Sequence, residues 1–381
     1  IAGGKELEEP LVVRPTSETI IGEAFSQWIQ SYRDLPLLIN QWANVVRWEM
    51  KTRPFLRTAE FLWQEGHTAH ATQEEAVAET LQMLEIYADV AERVLAVPVI
   101  KGVKSARERF AGAEETYTIE AMMQNGWALQ SGTSHFLGQN FAKAFDVTFQ
   151  TKEETRDFVW ATSWGVSTRL IGAIIMTHSD DDGLVLPPAV APVQVVIIPV
   201  GKAGDEAVTA AVRKLVADLK GFRVEVDDRD NVRPGAKYFE WEKKGVPLRL
   251  EIGPRDVAKG QAFAKRRTGG DKFGVSLENA AAEVTAVLDA IQTELLEKAR
   301  GWRDERMYTV SSRQEFLEKI ETQPGFYRIP WGGDDADEVA VKDETRATIR
   351  CFPLEQEPVD GLVCPLTGKP AKEWAIFARA Y

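Results

Sequence analysis

Residues 44–67 read NVVRWEMKTRPFLRTAEFLWQEGH and contain two strand-like runs, each of which carries an arginine. Side chains alternate between the two faces of a strand, so Arg47 and Glu49 share one face of the run VVRWEM. Pro54 restricts the residue before it, and KTRP therefore predicts a turn. On the return run, one face collects Arg57, Ala59, Phe61, Trp63 and Glu65.

Paired as a hairpin, the two runs place arginines, carboxylates and aromatic rings on a single face. Arginine forks bind phosphate oxygens with two parallel hydrogen bonds, and their planar groups and aromatic rings stack on flat partners such as purine bases. An exposed face with salt bridges is the alternative. It explains one Arg–Glu pair but explains less well why Phe61 and Trp63 share that side. The stretch therefore favours a site for a nucleoside triphosphate.

Five short motifs, in order along the chain, carry a family resemblance. The hairpin pattern VVRWE, a turn and RTAEF resembles motif 2 of the class II aminoacyl-tRNA synthetases, and SWGVSTRLIGA (163–173) resembles motif 3. RPTSET (14–19), FLWQEGH (61–67) and QSGTSHFLGQNF (130–141) resemble the prolyl-tRNA synthetases, in the form shared by archaea, eukaryotes and some bacteria. The sequence contains neither signature of the class I enzymes.

The resemblance and the hydrophobic pattern together predict an α/β protein of three domains. Residues 1–183 would form the α+β catalytic domain, with the mixed antiparallel sheet of the class II synthetases. VQVVIIPV is typical of a buried parallel strand and begins a strand–helix–strand pattern, so 189–299 would be an α/β domain. It resembles the anticodon-binding domain shared by the prolyl, threonyl, glycyl and histidyl enzymes, and the resemblance implies that function. Residues 300–381 would form a small α+β C-terminal domain.

Activation of an amino acid requires its carboxylate to attack the α-phosphorus of ATP, which depends on positioning and electrostatic stabilisation. The resemblance implies that Arg47 and Arg169 are catalytic. Arg47 would bridge the amino-acid carboxylate and the α-phosphate, and Arg169 would bind the γ-phosphate. Arg57 would bind the outer phosphates and Phe61 would stack on adenine, while Mg²⁺ would neutralise the phosphates. The other implied ATP-binding residues are Glu49, Thr58, Gln130, Thr133 and Ser167.

By the same resemblance, proline would bind beside the nucleotide. Thr16 and Glu18 would contact its secondary amine, since a carboxylate attracts an ammonium group. Arg47 would hold its carboxylate, and a flat apolar wall with few polar groups suits a pyrrolidine ring. His67 and His70 have no third ligand evident nearby, so a metal pair is not predicted. The remaining implied proline-binding residues are Trp63, for which core packing is an equal alternative, Glu65, His135 and Ser163.

The charge of the chain is unevenly distributed. Its formal net charge is −12, yet residues 233–272 hold eleven Lys or Arg and five Asp or Glu, a local balance of +6. One interpretation of this basic window is an ordinary solvated surface. The resemblance instead implies a contact with tRNA(Pro), because phosphates attract basic side chains. Glu251 and Arg255, in LEIGPRD, are candidate anticodon-binding residues, since both groups can distinguish guanine edges.

Further expectations concern location, metals and assembly. Two cysteines, Cys351 and Cys364, do not make a disulfide framework and favour a reducing cytoplasm, and no stretch is apolar enough to span a membrane. The chain starts at Ile1, and we expect motif 1, which builds the dimer interface in the family, to lie before it; a homodimer is implied. The apolar ending WAIFARAY predicts an ordered tail, and the resemblance implies that the carboxylate of Tyr381 folds back towards the catalytic domain. No structural zinc is expected, because the four zinc-binding cysteines of several relatives correspond to Trp331, Ala336, Pro365 and Thr367.

Two other functions compete with proline activation. A threonyl-type synthetase normally brings a zinc with Cys and His ligands to its amino acid, and the predicted pocket shows no such set. A non-catalytic tRNA-binding relative would be favoured by the loss of a motif arginine, but Arg47, Arg57 and Arg169 are all present. The sequence therefore favours a proline-specific enzyme.

Overall fold

The computed structural model of the chain describes residues 8–10, 13–14, 16–202 and 204–381, which form two compact units. The first unit comprises the described residues up to Ala88, Val99–Gly172 and Arg306–Tyr381. The second comprises Asp89–Pro98 and Ala173–Glu305. Within the described ranges, no helix is both long enough and apolar enough to cross a membrane.

Helices and strands are interspersed along the described part of the chain. The helices are α1 (Ser17–Trp28), α2 (Gln73–Asp89), α3 (Asn140–Ala144), α4 (Arg169–His178), α5 (Glu206–Asp218), α6 (Pro234–Lys243), α7 (Pro254–Ala258), α8 (Ala280–Asp304), α9 (Arg313–Thr322) and α10 (Asp335–Thr345), with a 3₁₀ turn at Tyr32–Asp34 and a π-helical turn at Val90–Val94. The strands are β1 (Leu37–Val46), β2 (Glu60–His70), β3 (Val99–Val103), β4 (Glu115–Met122), β5 (Ala128–Gly138), β6 (Thr148–Gln150), β7 (Arg156–Phe158), β8 (Trp160–Ser167), β9 (Val195–Pro199), β10 (Val224–Val226), β11 (Leu248–Ile252), β12 (Gln261–Arg266), β13 (Phe273–Ser276), β14 (Met307–Tyr308), β15 (Phe326–Trp331), β16 (Thr348–Pro353) and β17 (Glu373–Ala378).

A ten-stranded sheet runs through the first unit, in the order β1-β2-β8-β5-β4-β3-β16-β17-β15-β14. Every neighbouring pair is antiparallel except β14 and β15, which are parallel. The predicted α/β class, with a mixed, mainly antiparallel sheet in the catalytic part, is confirmed. β6 and β7 pair separately.

The hairpin predicted from residues 44–67 is formed by β1 and β2, but its strands have different limits. Leu37 pairs with Ala69 and Val46 with Glu60, so the hairpin begins well before the quoted stretch. Arg47 and Glu49 were predicted on a strand, whereas β1 ends at Val46. The Arg47 N–H still donates to Ala59 O at 2.8 Å. Beyond that bond the two strands of the hairpin separate, and residues 48–58 connect them without regular strand pairing.

The segment Arg306–Tyr381, here the C-terminal segment, extends the same sheet. β16 pairs with β3, placing Phe352 opposite Val103. An apolar cluster at this junction joins residues of β4 and β5 to residues of the C-terminal segment. It contains Met122, Ala128, Phe326, Cys351, Ile376 and Ala378. The predicted boundary between residues 299 and 300 falls inside α8, and the division into three domains stays a prediction.

The end of the chain packs against the β4–β5 hairpin, as its apolar sequence predicts. The N–H of Ala128 donates to Arg379 O at 2.8 Å, and the N–H of Tyr381 donates to Ala128 O at 3.2 Å. Asn125 Nδ2 donates to the Tyr381 hydroxyl at 2.7 Å, and the Tyr381 ring lies 5.3 Å from that of Trp127. The tail is therefore an ordered part of the first unit.

The second unit is an α/β layer with the strand order β10-β9-β11-β12-β13. β9 pairs in parallel with both β10 and β11, as expected for the run VQVVIIPV. A strand covered on both faces needs apolar side chains at every position. Val195, Val196, Ile197 and Ile198 are accordingly all inaccessible to solvent.

Candidate active site

A cavity of about 300 Å³ lies against one face of β2, β8 and β5 in the first unit. It gathers side chains from five separate sequence motifs. The residues predicted from the sequence that line it are Thr16, Glu18, Arg47, Phe61, Trp63, Glu65, Gln130, Thr133, His135, Ser163, Ser167 and Arg169.

Strand pairing explains why these side chains meet. In the β2–β8 ladder Trp63 lies opposite Ser167, and His67 lies opposite Ser163. In the β5–β8 ladder His135 also lies opposite Ser163. Directly paired residues in an antiparallel sheet project from the same face, so one set of alternate positions on three strands makes the floor of the cavity.

Five predicted site residues lie outside the cavity lining. Glu49, Arg57 and Thr58 belong to the connection between β1 and β2, where Arg57 Nη1 lies 3.7 Å from Glu49 Oε1. Glu251 and Arg255 belong to the second unit. The roles of all the predicted residues stay predictions.

Several lining residues were not anticipated. His67 lies two positions after Glu65 on β2, so the same alternation that selected Trp63 and Glu65 could have identified it. Glu108 and Phe110 come from an irregular loop, for which no periodicity exists. The others are Thr116, Ser131, Gly132, Trp164, Gly165 and Val166.

Arg169 is held in place before any ligand arrives. It begins α4 directly after β8, and its guanidinium donates from Nη2 to Leu56 O at 3.0 Å and from Nη1 to Gln130 O at 3.2 Å. Burial and the neighbouring positive charge of Arg57 lower the pKa of Arg169. Such a concentration of cations favours a polyanionic ligand.

Arg47 reaches the cavity over aromatic rings. Its guanidinium carbon lies 5.5 Å from the centre of the Phe61 ring and 5.3 Å from that of Trp63. Both distances are within the range of cation–π attraction. These contacts restrain a long side chain at the edge of the cavity.

The opposite end of the cavity carries Glu65 and Glu18, two of the three carboxylates that line it. Ser17 Oγ donates to Glu65 Oε1 at 2.7 Å, and Gln41 Nε2 donates to the same oxygen. Burial alone would raise the pKa of Glu65, but the interactions with His67 and Ser17 outweigh it and lower that pKa. Glu18 lies in the first turn of α1 and accepts a hydrogen bond from Thr16. Glu65 therefore stays ionised at neutral pH.

His135 contributes a neutral ring to the wall. Burial lowers its pKa to about 4, and the negative charge of Glu18 opposes that shift. Its Nδ1 lies 2.9 Å from Thr116 Oγ1, and its ring centre lies 4.8 Å from that of Phe110. At physiological pH the neutral imidazole can thus donate one hydrogen bond and accept another without adding charge to the cavity.

The cavity also holds a concentration of buried polar atoms that lack hydrogen-bond partners. In the part of the chain that the structure describes, seven buried side-chain nitrogen or oxygen atoms have no such partner. Three of them belong to side chains that project from the cavity face of the sheet, namely Trp63 Nε1, Ser163 Oγ and His67 Nε2, and of these His67 Nε2 lies 3.2 Å from Glu65 Oε2 as an ion-pair contact. Buried polar groups are ordinarily paired, so this cluster is typical of a site whose ligand supplies the partners.

Among the described residues, no group of three or more His, Cys, Asp or Glu side chains is placed to hold a metal ion. His70, one of the two closely spaced histidines, instead bonds Thr68 Oγ1 at 2.8 Å through its Nε2.

Three families match successive parts of the chain. Residues 4–178 match the tRNA synthetase class II core domain (G, H, P, S and T), residues 194–286 match the anticodon binding domain, and residues 313–381 match the prolyl-tRNA synthetase C-terminal family. All five motifs lie within the first of these matches.

Known proteins resemble the chain over its whole length. The proline–tRNA ligase of Chloroflexus aurantiacus is 57% identical over 387 residues, which cover 100% of this chain and 80% of that protein. The proline–tRNA ligase of Porphyromonas gingivalis is 58% identical over 382 residues, covering 99% and 77%. The crystal structure of the Cryptosporidium parvum prolyl-tRNA synthetase with L-proline and AMP superposes with a TM-score of 0.96 at 41% identity, covering 100% of this chain and 80% of that one.

Proposed function

The chain belongs to the prolyl-tRNA synthetases, and on that premise we propose how its cavity performs the reaction of this family. The enzyme activates L-proline with ATP to prolyl-adenylate and transfers the prolyl group to tRNA(Pro). The observation that supports our assignment of the site is the cavity itself. It combines two arginines, three carboxylates and two buried polar atoms without hydrogen-bond partners, Trp63 Nε1 and Ser163 Oγ.

We assign the nucleotide to the arginine end. Arg169, held by the carbonyls of Leu56 and Gln130, would bind the γ-phosphate, and Phe61 would stack on adenine. Arg57 would contact the outer phosphates from the hairpin connection. The nucleotide would form hydrogen bonds with three residues that line the cavity, Gln130, Thr133 and Ser167. Glu49 and Thr58 would do the same if the segment between β1 and β2 contacts the nucleotide.

Proline is assigned to the carboxylate end. Thr16 and Glu18 would bind its secondary ammonium group, and Trp63 would cover its ring. Ser163 Oγ, which has no hydrogen-bond partner, would gain a hydrogen bond to the bound substrate. Glu65 and the neutral ring of His135 complete the wall around the pyrrolidine.

Arg47 lies where the two ligands would meet, and we assign it the bridging role. The proline carboxylate would attack the α-phosphorus, an oxygen–phosphorus bond would form, and the bond to pyrophosphate would break. Negative charge grows on the α-phosphoryl oxygens during this displacement. A preorganised guanidinium stabilises that charge without taking part in a covalent step.

Mg²⁺ would reach this site with the nucleotide. Its usual environment in phosphoryl-transfer enzymes is one or two carboxylates plus the phosphates of the substrate. Glu49, close to Arg57 on the hairpin connection, is one carboxylate that fits this arrangement. When bound, the ion would neutralise part of the phosphate charge.

For the tRNA, we propose that the second unit contacts the anticodon through Glu251 and Arg255. Glu251 accepts hydrogen bonds from the Tyr238 hydroxyl at 3.0 Å, from Arg249 Nε at 3.1 Å and from Lys272 Nζ at 2.6 Å. Arg255 is exposed on α7. Arg255 would therefore contact a base directly. Glu251 would hold the side chains of Tyr238, Arg249 and Lys272 in place through its hydrogen bonds.

Assembly and location complete the proposal. We propose a cytoplasmic homodimer whose chains divide into a catalytic domain (1–183), an anticodon-binding domain (189–299) and a C-terminal domain (300–381). The face of the β1–β2 hairpin opposite the cavity exposes Leu38, Trp42, Val46 and Leu62. Large apolar patches of this kind are typical of surfaces that another protein covers.

Amino-acid-dependent ATP–pyrophosphate exchange tests the activity. We expect exchange with L-proline and none above background with L-threonine. Exchange with threonine in place of proline would contradict the assignment. If no amino acid supported exchange while the protein still bound tRNA, the non-catalytic alternative would be favoured.

A further inference from the structure

One wall of the cavity is built by an irregular loop, residues 104–110, which follows β3. Two side chains of this 104–110 loop, Glu108 and Phe110, line the cavity. Phe110 packs its ring 4.8 Å from that of His135, and its N–H donates to Thr116 Oγ1 at 3.1 Å. Thr116 Oγ1 in turn lies 2.9 Å from His135 Nδ1. The conformation of the loop therefore sets the position of the proline end of the site.

The C-terminal segment contacts this loop from the side away from the cavity. Ser105 Oγ donates to Glu338 Oε1, on α10, at 2.9 Å. The N–H of Glu108 lies 3.1 Å from Ser105 O and 3.3 Å from Ser105 Oγ. One hydroxyl thus joins Glu338 to the turn that carries a cavity residue.

Two further contacts flank that hydroxyl. Lys104 Nζ donates to Arg350 O at 2.7 Å, and Lys342 Nζ lies 3.2 Å from Glu108 Oε1. The Lys342 pair is largely exposed, and such pairs contribute little free energy. The contact between Ser105 and Glu338 is buried, so it restrains the turn more strongly than the Lys342 pair does.

Glu338 is an unusual residue to find in an interior. Only 6% of its surface is exposed. Burial raises the pKa of Glu338, while the hydrogen bond from Ser105 opposes that shift. A buried carboxyl group is costly unless it makes a specific hydrogen bond, and this one makes its bond to the loop.

We propose that Glu338 is a positioning residue for proline binding, which acts through Ser105 and the 104–110 loop. The inference rests on the proposed function, because it assigns the proline end of the cavity to this wall. Glu338 itself does not line the cavity. Its effect would be to hold Glu108 and Phe110 in the conformation that shapes the proline pocket.

Steady-state exchange kinetics of three variants test this role. Loss of one hydrogen bond of about 1 kcal/mol predicts that Glu338→Ala raises the KM for proline about fivefold, with kcat and the KM for ATP changed less than about twofold. Glu338→Gln keeps an oxygen that accepts from Ser105, so it should restore the KM for proline. Glu344→Ala removes an acid from the same helix whose partner is Arg313, and it should behave as the unchanged protein.

Parallel rises in the KM values for proline and ATP, or a Glu338→Gln variant as impaired as Glu338→Ala, would overturn the proposal. Should Glu338→Ala not fold, Ser105→Ala removes the same bond from the loop side and carries the same expectation. Hydrogen exchange of the Glu108 amide separates this inference from the activity. Faster exchange in the variant supports the tether even if the enzyme proved inactive, and unchanged exchange refutes it.

Discussion

Arg47 and Arg169 enter the cavity with different degrees of restraint. Arg169 donates to two backbone carbonyls, whereas Arg47 is exposed and rests on the rings of Phe61 and Trp63. A guanidinium held by carbonyls is oriented in advance, which suits a fixed phosphate site. One resting on aromatic faces keeps its forked donors available for the two substrates that it would bridge.

Arg47→Lys should reduce proline-dependent pyrophosphate exchange by about a hundredfold or more, because an ammonium lacks the forked donors of a guanidinium. The measurement is kcat/KM for exchange. Arg93→Lys provides the control, since Arg93 forms an exposed pair with Asp89. Near-normal turnover in Arg47→Lys would show that the bridging role belongs to another residue.

Ser163→Ala should separate binding from stability. Ser163 Oγ is buried without a hydrogen-bond partner, so its removal should leave the unfolding free energy unchanged or raise it by up to about 1 kcal/mol. The KM for proline should rise, because the ligand loses a donor. Thermal unfolding and exchange kinetics on one preparation measure both effects. A destabilised variant with an unchanged KM would contradict this assignment.

The central element is the three-strand floor made by β2, β8 and β5. Its strands approach closely because glycines lie at two positions in the contact between β2 and β8. A Cβ added at Gly66 would lie 1.9 Å from the Trp164 ring, which packs on the face of the sheet away from the cavity. One added at Gly165 would lie 3.1 Å from Gln64 O. The shape of the floor thus depends on the absence of side chains at these points.

Gly66→Ala should destabilise the first unit by about 1–3 kcal/mol, because the Trp164 ring has to move to admit the new methyl group. It should also raise the KM for both substrates. Gly301→Ala is the matched control: Gly301 lies inside α8 with no atom within 4 Å of the added Cβ, so about 0.5–1 kcal/mol of stabilisation is expected. Equal unfolding midpoints for the two variants would refute the packing account.

Across the whole molecule, buried polar groups join segments that are distant in sequence. Glu120 is fully buried and meets Lys104 Nζ at 2.7 Å and Arg350 Nε at 3.0 Å. Burial would raise the pKa of Glu120, but the charges of Arg350 and Lys104 lower it overall. Removing one partner from such a group is costly, at about 3–5 kcal/mol, because a buried charge is left uncompensated. The C-terminal segment is therefore tied to the catalytic strands by charge as well as by apolar packing.

The stability of the enzyme should fall on acidification below about pH 6.5. Burial lowers the pKa of both His135 and His178 from 6.5 to about 4. Between those values the unfolded chain binds more protons than the folded chain. Stability that is present above pH 6.5 is therefore lost as the pH falls through the folded pKa, at up to about 1.4 kcal/mol per unit for each histidine.

His178→Gln isolates one of these contributions. His178 Nε2 donates to Leu95 O at 3.1 Å, and a glutamine amide can make a similar bond without titrating. Urea unfolding at pH 7 and pH 5 should show a smaller loss of stability in the variant. If the pH dependence is the same with and without His178, its ring is not the titrating group.

Local sequence determined much of the site because the information lies within short strands. Alternation in residues 61–65 places Phe61, Trp63 and Glu65 on one face whatever the rest of the chain does. The continuous apolar run at residues 193–200 likewise predicts a strand buried on both faces. The identities of the motif arginines, and the order of the motifs, were enough to predict the class of enzyme.

Only the tertiary structure decided which residues close the cavity and what supports them. Glu108 and Phe110 lie in a loop without periodicity, and Glu338 is separated from Ser105 by 233 positions. The pairing of β3 with β16 likewise joins the C-terminal segment to the rest of the first unit, and no local sequence pattern predicts it. Such contacts depend on the packing of the complete sheet, whereas the face of a strand depends only on its own alternation.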